Sequence, residues 1–200
     1  NGVVTAARKP ELVIDSSTMA PEKTKELGAR LAEHGIRFMD APFSGGASGA
    51  QRGDLATMVG GEEADCEKVR KVLESFSNRV TYMGPLGSGM ATKACNQIVD
   101  YVTVACLGEM VAYGRAFGLN VDKLPEAMAR GLADCALLQE YAREKAAKPG
   151  PTVMLVDGMA DLFLGRIKPE ARGAYAISVK DVQVAMDSAR ASGATTPFPA

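Results

Sequence analysis

The stretch Gly84-Pro85-Leu86-Gly87-Ser88-Gly89-Met90-Ala91-Thr92-Lys93-Ala94-Cys95-Asn96-Gln97 separates two kinds of pattern. A glycine-broken turn runs straight into a long helical segment. Before it, short apolar runs alternate with helical segments, as in an α/β sheet. After it, the chain reads as one helix after another. The boundary at 84–89 therefore predicts a sheet-containing part followed by an all-helical part.

The helix that opens there carries a lysine on its first turns. Lys93, Asn96, Gln97 and Asp100 recur at helical spacing and form one polar stripe. Ile98, Val99, Val102, Val104, Ala105 and Leu107 around them read as buried. An ammonium in apolar company is costly to bury, so the Lys93 pKa is expected to tend downward. That makes Lys93 a candidate proton donor or acceptor near neutral pH. The competing reading is a lysine that snorkels from an ordinary amphipathic helix.

Composition bounds the function classes. The 200 residues are 46% hydrophobic and 24% charged, with a formal net charge of -1. A basic excess, an arginine-rich block and aromatic-basic interleaving are all missing, which argues against nucleic acid as a partner. No apolar run approaches the roughly 18 to 20 residues of a membrane span, and the opening residues do not read as a signal peptide. Cys66, Cys95, Cys106 and Cys135 show no CxxC pair. They are expected to be reduced, mostly buried thiols of a cytoplasmic protein. With one histidine, His34, beside Gly35 at an expected helix end, a zinc site is not supported.

In chain order, Glu11 to Ser16 reads as a buried strand. Ser17 and Thr18, with Pro21 and Glu22, read as a helix start, and that helix is expected to reach His34. Ile36 to Pro42 is a second strand, followed by the glycine-rich loop Phe43 to Gly49. Leu55 to Val59 is a third strand, with a short connection that favours an antiparallel place in the sheet. Glu62 to Phe76 is a helix with Cys66, Val69, Val72 and Leu73 facing inward, and Val80 to Met83 is a fourth strand. The long helix is expected over Met90 to Phe117, with Gly118 ending it. Asp122 would cap the next helix, and Asp134 to Lys148 would form a third. Residues 152–172 fit strand or helix, and Tyr175 to Ser192 is a strong helix before a Thr196 to Pro199 tail. Ala105, Gly108 and Ala112 share a face of the long helix that would admit another helix closely.

Two further places carry potential chemistry. The glycines and serines of Phe43 to Gly49 allow backbone N–H groups to converge on an anion, a carboxylate or a phosphate, or make a plain turn. Ser17-Thr18 follows the carboxyl end of a strand, where open α/β sheets bind ligands, or is a plain cap. A G-x-G-x-x-G fingerprint is not found: Gly87-Ser88-Gly89 is followed by Thr92 at the third position.

Taken together, Asp15-Ser16-Ser17-Thr18 with Pro21, Asp40-Ala41-Pro42-Phe43-Ser44-Gly45-Gly46, Gly87-x-Gly89-x-x-x-Lys93-x-x-Asn96-Gln97 and Lys180-Asp181 resemble the β-hydroxyacid dehydrogenase family, of the 3-hydroxyisobutyrate dehydrogenase type. The resemblance implies a partial Rossmann-like domain over 1–86 and a helical substrate and dimerisation domain over 87–200, joined by the long helix. It implies an oxidoreductase using NAD or NADP on a small hydroxyacid, assembled as a homodimer or homotetramer. Carried over by position, Lys93 is the catalytic acid/base. Ser44, Gly45, Gly46 and Asn96 bind substrate, and Thr18 and Lys180 lie against the cofactor. The family's opening strand and glycine turn precede anything in this chain, so the 200 residues are expected to be part of a longer enzyme. The alternative is a non-catalytic helical dimerisation or carboxylate-binding module. An imine-reducing relative is a third reading, and Lys93 argues against it.

Overall fold

The computed structural model describes residues 2–194 apart from 168–174, with the backbone alone described for 175–180. The chain divides into two compact units, Asn1–Ile98 with Asp181–Ala200, and Val99–Lys180. The division falls inside two helices.

The first unit holds a mixed five-stranded sheet. Its strands are β1 (Leu12–Asp15), β2 (Arg37–Asp40), β3 (Phe43–Ser44), β4 (Leu55–Gly60) and β5 (Ser77–Gly84). β1 pairs with β2 in parallel, and β4 with β5 in parallel. β4 runs antiparallel to both β2 and β3, as its short connection led one to expect. Met39, Ala41, Val59, Cys66 and Leu73 form the buried cluster of this unit.

Helix α1 (Pro21–Ala32) starts on proline, whose fixed φ suits a first turn and whose missing N–H costs nothing there. Ser17 and Thr18 do not cap it: Ala20 holds the cap position. The Ser17 N–H donates to Asp15 Oδ1 at 2.9 Å, a local turn that competes with capping and swings the chain off β1. Helix α3 (Glu63–Glu74) turns Cys66 and Leu73 inward, but Val72 is 60% exposed. The stretch expected as a glycine loop is more ordered than that. It forms β3 and a short helix, α2 (Gly46–Arg52), which Gly53 ends at φ 65°.

Helix α4 (Ser88–Phe117) begins in the first unit and continues into the second. Then come a 3-10 turn, Val121–Lys123, and α5 (Leu124–Met128). Asn120, not Asp122, caps that turn: its side chain accepts the Asp122 N–H at 3.2 Å. Helices α6 (Ala136–Ala146), α7 (Pro151–Phe163) and α8 (Tyr175–Ser192) follow. The ambiguous stretch is thus helical as far as Phe163, since glutamate and proline start it: Glu144 Oε2 accepts the Val153 N–H at 2.9 Å, and Pro151 is the first residue. Residues 168–172 of that stretch and the Thr196 to Pro199 tail lie outside the described residues.

The second unit packs around Leu107, Val111, Ala112, Leu138, Tyr141, Val153, Val156 and Ala160. The small-residue face of α4 meets α7 of the same chain. A Cβ on Gly108 would stand 2.6 Å from Met159 Cβ. Val99, expected to be buried, is 68% exposed. All four cysteines are free; Cys66 is buried, but Cys95 and Cys106 are exposed. Among the described residues, no helix is long and apolar enough to cross a membrane, and no cluster of side chains suits a metal ion.

Candidate active site

Asp40 is the last residue of β2 and is fully buried. Its Oδ1 accepts the Gly87 N–H at 2.8 Å, and its Oδ2 accepts the Met90 N–H at 2.7 Å. Both donors belong to the opening of α4, whose first N–H groups have no partner within the helix. A carboxylate there satisfies two of them and complements the positive end of the helix dipole. Space for it exists because of glycine. A Cβ on Gly60 would lie 2.5 Å from Asp40 Oδ1, and one on Gly89 would lie 2.5 Å from the Met58 carbonyl oxygen.

One turn beyond Met90 stands Lys93, buried at 8% exposure, followed by Gln97 at 5%. Asn96, between them, is half-buried. Its side-chain amide donates to Ser44 Oγ and to Gln97 Oε1, each at 3.2 Å. Gln97 in turn donates to Asp181 Oδ2 at 2.7 Å. A continuous polar line therefore runs from Ser44 through Asn96 and Gln97 to the buried Asp181. It brings the end of β3 against α4 and ties the described part of α8 to the same face.

The predicted residues fall into three groups. Ser44 and Asn96 are brought into direct contact, and Lys93 occupies the preceding turn of the helix that carries Asn96. Gly45 and Gly46 continue from Ser44 with φ of 129° and 61°, a path that favours glycine and turns the backbone into α2. Thr18 lies beyond the carboxyl end of β1, half-buried. The Lys180 side chain lies outside the described residues. Asp40 and Asp181 were visible in the motifs without a role, as was Gln97 in the stripe. The available signal for Asp40 was an aspartate at a strand end combined with glycines at 60, 87 and 89.

The carboxyl ends of β1 and β2 lie side by side, with Asp15 in register with Asp40. Asp15 Oδ2 is buried there without a hydrogen-bond partner, while Oδ1 holds the Ser17 N–H. A buried acceptor at the carboxyl end of β1 suits a ligand with hydroxyl or amide donors, which a nicotinamide dinucleotide has.

Comparison with known proteins decides the family. Residues 1–84 match the model for the NAD binding domain of 6-phosphogluconate dehydrogenase. Residues 87–200 match the model for the NAD-binding domain of NADP-dependent 3-hydroxyisobutyrate dehydrogenase. The chain belongs to the β-hydroxyacid dehydrogenase family. Its architecture is accordingly the Rossmann-like sheet followed by helices that this family shares, and the family's cofactor is NAD or NADP.

A probable 3-hydroxyisobutyrate dehydrogenase of Mycobacterium tuberculosis is 33% identical over 98% of this chain and 63% of its own length. The NAD-dependent L-serine dehydrogenase of Pseudomonas aeruginosa is 31% identical over 99% of this chain and 62% of its own. A solved structure of the Mycobacterium tuberculosis 3-hydroxyisobutyrate dehydrogenase with L-serine superposes with a TM-score of 0.72 at 32% identity. It covers 98% of this chain and 63% of that one. The chain thus spans somewhat under two thirds of these relatives.

Proposed function

We propose that this family member is part of an NAD- or NADP-dependent dehydrogenase that interconverts a small 3-hydroxyacid and the corresponding semialdehyde or oxoacid. The observation that carries the reading is the contact of Asn96 with Ser44, one turn beyond the buried Lys93. Residues 1–86 form the nucleotide-binding part and 87–200 the substrate and dimerisation part, in a homodimer or homotetramer.

A nicotinamide bound here would supply the hydride chemistry at the substrate carbon. Thr18, Asp15 and Lys180 are the residues of this chain that would hold the cofactor. Ser44 Oγ and the backbone N–H groups of Gly45 and Gly46 hold the substrate carboxylate. Asn96 keeps the Ser44 hydroxyl in place and offers its amide to the substrate. Lys93 Nζ, neutral in the oxidative direction, takes the proton of the substrate hydroxyl as the C–H bond breaks. In the reductive direction its ammonium donates that proton and stabilises the negative charge developing on oxygen.

Serine is itself a 3-hydroxyacid, and the relative named an L-serine dehydrogenase, with the 3-hydroxyisobutyrate dehydrogenase structure titled with L-serine, favours including it among the substrates. The test is an absorbance assay of the intact natural protein with 3-hydroxyisobutyrate, L-serine and 3-hydroxypropionate, each with NAD and with NADP. Reduction of either cofactor by at least one substrate supports the reading. No turnover with any pair sinks it in favour of the non-catalytic module.

A further inference from the structure

We infer that Asp40 is the positioning residue that sets the separation of the two halves of this site. The inference rests on the proposed roles of Lys93 and Ser44. Asp40 stands where both halves start. Going forward along the chain, Ala41 and Pro42 lead directly to Phe43–Ser44. Across space, the two carboxylate oxygens hold Gly87 and Met90, and Lys93 follows Met90 by three residues, a rise of about 4.5 Å along the helix. One side chain therefore fixes the strand that delivers Ser44 against the helix that delivers Lys93.

Three further observations make this hold rigid. The donors are backbone N–H groups, which cannot change rotamer. Asp40 pairs with Gly60 across β2 and β4, and Gly60 pairs with Gly84 across β4 and β5, so the carboxylate stands at a registered end of the sheet. The surroundings also leave no slack: a Cβ on Gly60 would lie 2.7 Å from the Gly89 nitrogen, and one on Gly89 would lie 2.8 Å from Asp40 Oδ2. The Ser44–Asn96 bond closes the loop from the far side. Its 3.2 Å length is one that a shift of the α4 start would break. A displacement of about 1 Å in a catalytic group costs up to roughly 10²-fold in rate.

The experiment uses the intact protein and Asp40→Asn, which keeps the shape and one acceptor but turns an NH2 toward the second backbone donor. Gly60→Ala is the companion variant: it leaves the carboxylate in the chain and crowds it from its seat. Hydrogen exchange read in peptides covering 84–96 tests the hold without reference to activity. We expect exchange there to quicken about tenfold or more while peptides from the second unit stay unchanged. Steady-state kinetics, at a temperature where both variants are folded by circular dichroism, tests the consequence. We expect kcat to fall about tenfold or more, with the KM for the cofactor within about twofold of the parent. Ser77→Ala, which removes one hydroxyl of the buried Thr57–Ser77 pair, serves as the reference for mere destabilisation. It should lower the Tm and leave kcat within about twofold. Unchanged exchange at 84–96 overturns the inference. So does quickened exchange with unaltered kcat, or a kcat loss in Ser77→Ala matching that in Asp40→Asn. If the parent protein turns over no 3-hydroxyacid, the functional reading fails, and the exchange result still decides whether Asp40 holds α4.

Discussion

Asp40 in the first unit and Asp157 in the second are both surrounded by donors, but of different kinds. Asp40 is fully buried and is held by two backbone N–H groups. Asp157 is a quarter exposed and gathers side chains: Arg115 Nη2 at 2.9 Å, the Tyr141 hydroxyl at 2.9 Å and Lys145 Nζ at 3.5 Å. Arg115 also reaches Asp161 at 3.1 Å, so this network links α4, α6 and α7. Backbone donors leave the carboxylate one position. Side-chain donors on long stems can follow small shifts, and partial exposure screens their charge. The first arrangement specifies geometry to fractions of an ångström, whereas the second fastens helices together and tolerates adjustment. The polar burial of the first unit is thus where catalysis should be sensitive, and that of the second is where stability should be.

The sharpest way to break this comparison is Lys93→Ala. It should lower kcat by about 10²-fold or more, equivalent to about 2.7 kcal/mol of barrier, with little change in Tm. Near-normal turnover would remove Lys93 from the proton-transfer role and leave the first unit no more catalytic than the second.

Tyr141→Phe probes the other side and should show the opposite profile. It deletes a buried hydroxyl from Asp157 and should cost about 1 to 2 kcal/mol in denaturant unfolding, with kcat unchanged under folding conditions. The same residue has a pH signature. Burial, and then the hydrogen bond to Asp157, push the Tyr141 phenol above its ordinary value of 10. The folded state therefore keeps this proton where the unfolded chain loses it. The contribution is full below about pH 10 and is lost as the pH rises further. Unfolding curves measured across that range should fall less steeply for Tyr141→Phe than for the parent. Equal slopes would detach Tyr141 from the network.

Asn96→Ala has the smallest expected effect. If Asn96 binds substrate equally in the ground and transition states, KM should rise several-fold, by about 1 kcal/mol, with kcat nearly constant. A fall in kcat at constant KM would instead place Asn96 in transition-state stabilisation and sharpen the contrast between the units.

Much of this was legible in the chain. The alternation of short apolar runs and helices, the antiparallel β4, the long α4 and the bounds of α8 follow from local rules of periodicity, proline and glycine. So does the placing of Lys93, Asn96 and Gln97 on one helical face. Family membership was legible because four motifs stand in order, and the family models confirm it. Local rules failed where two acceptable local choices compete. Ser17 and Thr18 have capping side chains, yet Asp15 takes the Ser17 N–H and the cap passes to Ala20. Val72 and Val99 are apolar at helical spacing, yet they stand 60% and 68% exposed.

By itself, then, the sequence determined most of the elements, though not β3, α2 or the helical state of α7. It also determined where the sheet-containing part gives way to helices, and which residue types share the face of α4 that carries Lys93. These depend on interactions within a few residues of one another. Only the tertiary structure decided that Asp40 seats the start of α4, that Ser44 meets Asn96, that Gln97 reaches Asp181, and that α7 fills the small-residue face at Gly108. Each of these joins residues far apart in the chain. Their partners are chosen by the space that glycine leaves and by the donors that burial forces to be satisfied, and neither is written in local sequence.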